Sequence, residues 1–67
     1  MNKSHYSVSR LRNEQMKTQI KNVLNELDGV KMVNIDLARS TIEVGFDESL
    51  DENQIKQCIE QVGCKIE

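Results

Sequence analysis

The sequence has no proline and no tryptophan, and it has one phenylalanine, one tyrosine, one histidine and two cysteines in 67 residues. Each scarcity excludes something. One Tyr and one Phe leave almost nothing for bases to stack on, and a net charge of −2 gives no footprint for a polyanion, so nucleic acid is excluded as a partner. Cys58 and Cys64 are too few to frame a disulfide scaffold, and their spacing fits no common zinc signature. No apolar run approaches the ~18 residues that read as a bilayer span, so membrane insertion is not expected. The start "MNKSHYSVSR" lacks the apolar core of a signal peptide, which makes the cytoplasm the expected location. No nucleophile–base pair, carboxylate dyad or glycine-rich phosphate loop can be assembled, so the chain is not expected to be an enzyme.

What is present is periodicity, in a length that suits one domain over residues 1–67. So short a chain buries only ~60% of the surface its unfolded form exposes. Met16, Ile20, Val23, Leu24 and Leu27 fall on one helical face, with Asn13 as N-cap, Glu14 in the first turn and Gly29 as the stop. Ile55, Cys58, Ile59 and Val62 form a second stripe, opened by a capping box from Asp51 to Gln54 and closed by Gly63. Between the two helices, "VKMVNIDL" and "STIEVGF" alternate with period two. Val33, Ile35 and Leu37 in one and Ile42, Val44 and Phe46 in the other form the apolar sides, and Ala38-Arg39-Ser40 is short enough for a hairpin. Tyr6 and Val8 mark a weaker first strand, and "CKIE" a short last one. The order is β-α-β-β-α-β. It packs most economically as an α+β fold, a four-stranded antiparallel sheet with both helices on one face. In that topology the last strand lies beside the first, so Cys64 approaches the loop Arg10–Met16 and His5 does not.

These segments carry a resemblance. "LNELDGVKMVNIDL", "TIEVGFDES" and "IKQCIEQVGCKI" resemble the heavy-metal-associated domain of copper chaperones and of the N-terminal modules of metal-transporting P-type ATPases. The resemblance implies a ferredoxin-like βαββαβ fold and the transfer of soft cations, chiefly Cu(I), between protein partners. Its usual motif is Met-x-Cys-x-x-Cys, in the loop between the first strand and the first helix. Counting back without gaps from Leu27 puts Leu11 at the methionine, Asn13 at the first cysteine and Met16 at the second. Both thiolates are replaced. Two thiolates supply the charge and softness that select Cu(I) or Zn(II), so their loss removes the family's ordinary chemistry.

The remaining candidates divide into two sets. Cys64, with help from the Met16 thioether, is the candidate for soft-metal ligation, weakly in one chain or shared across a homodimer, with Cu(I) the metal the resemblance implies. Arg10 and Arg12 could favour the Cys64 thiolate, though they also oppose the entry of a cation. Simple packing accounts for Met16 and Cys58 on their helix stripes, and serves Cys64 as well. Arg10, Arg12, Asn13 and Lys17 make a basic patch, the candidate docking surface for an acidic partner, namely a transporter domain or a like domain. From another class, ACT-like regulatory domains share the element order and need a dimer with a small-molecule pocket. The "LDGV" and "VNIDL" segments favour the metal-domain kinship. The leading expectation is thus a partner-docking or regulatory member of a metal-handling system.

Overall fold

The computed structural model describes residues 2–67. Along the chain run β1 (Asn2–Ser9), α1 (Glu14–Asn25), β2 (Val30–Asp36), β3 (Thr41–Phe46), α2 (Glu52–Val62) and β4 (Lys65–Ile66). The strands form one antiparallel sheet in the order β2-β3-β1-β4. Period-two alternation decides which side is covered. Tyr6, Val8, Ile35, Ile42, Val44 and Phe46 are buried against Ile20 and Leu24 of α1 and Ile55 and Ile59 of α2, in one apolar cluster. Both helices therefore cover the same face, in the ferredoxin-like arrangement. Ile20, Leu24, Ile42, Val44, Ile55 and Ile59 are completely enclosed, and no charged or polar side chain joins them.

Local chemistry sets the element ends, with some departures from the periodicity. β1 is longer than Tyr6 and Val8 alone suggest, because its pairing with β3 runs from Asn2–Phe46 to Ser7–Thr41. α1 stops at Asn25 rather than continuing to a glycine stop. The Glu26 and Leu27 amides close the last turn on Asn22 and Leu24, and Leu27 then tucks against the core. Gly29 serves the start of β2 instead. It has φ of 100°, its carbonyl accepts the Asp47 amide at 2.9 Å, and a Cβ there would lie 2.9 Å from Asp47 Oδ1. Only glycine meets both demands.

At α2 the Asp51 carboxylate caps the Asn53 amide at 2.9 Å, while the Gln54 amide bonds the Asp51 carbonyl at 3.0 Å. The cap is thus one residue tighter than the expected box. Gly63 ends α2 in the left-handed region, with φ of 112°.

Four segments meet at one end of the molecule: the end of β1, the start of α1, the turn 37–40 and the approach to β4. The Val8 amide donates to the Ser40 carbonyl at 2.9 Å, and Ser9 pairs with Lys65. Cys64 lies just before β4, as the topology requires.

Candidate functional site

The loop from Arg10 to Asn13 alternates in burial. Arg10 and Arg12 are exposed, whereas Leu11 between them is 6% exposed and belongs to the apolar cluster. Arg10 makes this possible by adopting φ of 68°, which turns the chain out of the sheet and sends Leu11 inward. A side chain other than glycine in this region costs roughly 1–2 kcal/mol. The conformation persists because both neighbours are fixed, Ser9 by its pairing with Lys65 and Leu11 by burial.

Asn13 is extended, with φ of −152°, and its side-chain oxygen accepts the Met16 amide at 2.9 Å. It also accepts the Lys17 amide on its carbonyl at 3.2 Å, so it caps α1 as its residue type favours. Met16 is half-buried against the apolar cluster, opening the stripe of α1. The three positions aligned with the metal motif are thus occupied by folding tasks: Leu11 in core packing, Asn13 in capping and Met16 in core-edge packing.

Cys64 does approach this loop. Its Sγ lies 4.0 Å from the Arg10 carbonyl oxygen, a weak donor contact, and the residue is only 3% exposed. Burial pushes its thiol pKa up from the ordinary value, so it is a neutral thiol at physiological pH. Activation of the thiolate by Arg10 and Arg12 is not realised, because desolvation is the effect that governs the group. Cys58 is half-buried on α2, and its thiol pKa is also raised, by burial and then by the charge of Glu26. Among the described residues no group of three or more His, Cys, Asp or Glu side chains is placed to hold a metal ion. Cys64 with one thioether does not replace the missing thiolate pair.

The basic residues behave differently. The ion pairs among the described residues are Lys31–Asp47 and Arg39–Asp36, each at 3.8 Å, and neither involves Arg10, Arg12 or Lys17. His5 is exposed and sits opposite Glu43 on β3, away from the loop. Three features of this end were not legible in the pattern. Leu11 reads as an isolated apolar residue between arginines, although that isolation is itself a sign of an inward anchor. Arg39 and Lys65 lie far from Arg10 in sequence and reach the loop end only through the sheet pairing.

Fold and loop together define an α+β domain built on the scaffold of soft-metal carriers. A heavy-metal-associated domain model matches residues 6–65, and the chain belongs to that family. This decides between it and the ACT-like domains that share the element order. Among solved structures, the CopZ metallochaperone is 24% identical, with a TM-score of 0.94, covering 98% of this chain and 100% of that one. A copper binding domain from HMA7, a P-type ATPase, is 25% identical, with a TM-score of 0.91, over 100% of this chain and 92% of that one. The yeast copper transporter domain Ccc2a is 25% identical, with a TM-score of 0.89, over 98% and 94%. A comparison with curated proteins finds no match. Among the described residues no helix is long and apolar enough to cross a membrane.

Proposed function

We propose that this domain acts in metal handling as a protein-docking or regulatory module and that its loop does not carry the metal. It works as one cytoplasmic domain without catalytic activity, and it meets its partner, a transporter domain or a like domain, through the loop bearing Arg10, Arg12, Asn13 and Lys17. The observation that carries this reading is the Asn13 side chain, committed to the Met16 amide at the position aligned with the first cysteine. Supporting it, the thiol nearest the loop, Cys64, is buried and neutral. A soft cation arriving there meets two exposed guanidinium groups before it meets sulfur.

Titration of Cu(I) against a competing chelator tests the reading. Wild type, Cys64→Ala and Met16→Ala are expected to leave the metal equally with the chelator. Retention of one Cu(I) per chain, or one per two chains, that is lost in Cys64→Ala overturns it in favour of a Cys64 site, the second stoichiometry meaning a dimer-shared one.

A further inference from the structure

Nine lysines and arginines are spread along the sequence, but the fold does not spread them evenly. Arg10 and Arg12 flank the buried Leu11. Lys65 stands beside them through its pairing with Ser9, whose hydroxyl donates to the Lys65 carbonyl at 3.5 Å. Arg39 joins them because the carbonyl of its neighbour Ser40 accepts the Val8 amide, two residues before Arg10. All four side chains are exposed. Only Arg39 has an acidic partner, Asp36, in a solvent-exposed pair of the kind that holds little.

A second observation sets Arg10 apart. It occupies the left-handed region, where glycine fits without strain, and nothing in the packing of the loop calls for a side chain there, since the arginine is exposed. Strain kept in an exposed residue is the kind that functional sites retain.

Resting on the docking reading above, we propose that Arg10 and Arg12, flanked by Arg39 and Lys65, form a cationic rim that receives a carboxylate-bearing segment of a partner protein, with the strained Arg10 as its main anchor. Planar guanidinium groups bind carboxylates through paired donors, which suits short acidic segments better than a diffuse charge contact. A polyanion is a poorer fit, because the net charge of −2 repels it beyond the rim and no aromatic platform accompanies the cations.

The test is an NMR titration of the ¹⁵N-labelled protein at low salt with hexaglutamate, hexaglutamine and a hexanucleotide as probes. Hexaglutamate is expected to shift the amides of residues 10–13, 39–40 and 65 saturably, and hexaglutamine to shift none. Arg12→Gln and Arg10→Gly should each weaken hexaglutamate binding by about five-fold or more. Lys56→Gln removes one exposed positive charge from α2 and should weaken it less than two-fold. Because glycine relieves the strain, Arg10→Gly should also melt higher, by about 4–8 °C, where a residue kept for stability would melt lower. Equal weakening by Lys56→Gln, shifts outside the rim, a lower melting temperature for Arg10→Gly, or tighter binding of the hexanucleotide each overturns the proposal. Such a failure is distinguishable from failure of the docking reading, which falls on Cu(I) uptake through Cys64 whatever the peptides do.

Discussion

The two ends of this molecule use their polar side chains in opposite ways. At the end holding Gly29 and the start of α2, side chains bond one another. The Tyr6 hydroxyl donates to Glu52 at 2.7 Å, Asp47 accepts both the amide and the hydroxyl of Ser49, Lys31 approaches Asp47, and Asp51 caps α2. At the loop end, the Asn13 cap and the contact of Cys64 with Arg10 are the local ties, and Arg10 and Arg12 project into solvent without a partner among the described residues. Groups that secure a fold are usually satisfied within it. Exposed charges that satisfy nothing internally are left available for something else. The difference locates the external business of the domain at the loop.

The largest expected effect tests whether the loop is anchored by apolar burial. Leu11→Ala should destabilise the domain by about 2–4 kcal/mol in chemical denaturation, because it empties a site 6% exposed. A loss below 1 kcal/mol would mean that the loop floats free of the core. Next comes the far end. Gly29→Ala should cost ~1–2 kcal/mol, since it places a side chain at φ of 100° and against the Asp47 carboxylate. If the variant melts like wild type, the close approach there is not maintained in solution.

Tyr6 offers a pH-dependent version of the same contrast. Burial, assisted by its bond to Glu52, pushes its pKa up to about 12 against the ordinary 10.0. With the folded pKa raised, stability is fully present below pH 10 and is lost as pH climbs from 10 towards 12. Over that window the loss reaches about 2 kcal/mol, and Tyr6→Phe should abolish the slope. An alkaline denaturation series that is identical for the two proteins would show Tyr6 ionising freely in the fold. The smallest effect is Asn13→Ala, expected to cost about 1 kcal/mol as a lost helix cap. An unchanged stability would release Asn13 from its folding task and weaken the case that the old motif position is structurally committed.

Much of the fold could be read in advance because it depends on local repetition. Ile42, Val44 and Phe46 alternate, Ile55 and Ile59 recur one turn apart, and each pattern has essentially one way to bury its apolar side. The caps at Asn13 and Asp51 were legible for the same reason, as each acts on an amide two or three residues away. The end of α1 was less so. Asn25, Glu26 and Leu27 continue the helical pattern, and only the packing of Leu27 and the approach of Asp47 to Gly29 show why the chain leaves the helix early. The candidate site divided along the same line. The loss of both motif cysteines and the proximity of Cys64 followed from counting and topology. The state of that thiol did not, because Arg10 and Arg12 suggest a thiolate while burial, a property of the whole packed core, imposes the opposite.

The sequence by itself determined the element order, the sheet with its two covering helices, the family scaffold and the absence of the two thiolates, since all of these reside in residue types and their spacing. Only the tertiary structure decided that Leu11 is a core residue, that Arg10 sits in a strained backbone, that Cys64 is a desolvated thiol, and that Arg39 and Lys65 share an end with the loop. These depend on contacts between residues tens of positions apart, where burial and sheet pairing, rather than local preference, set the free energy.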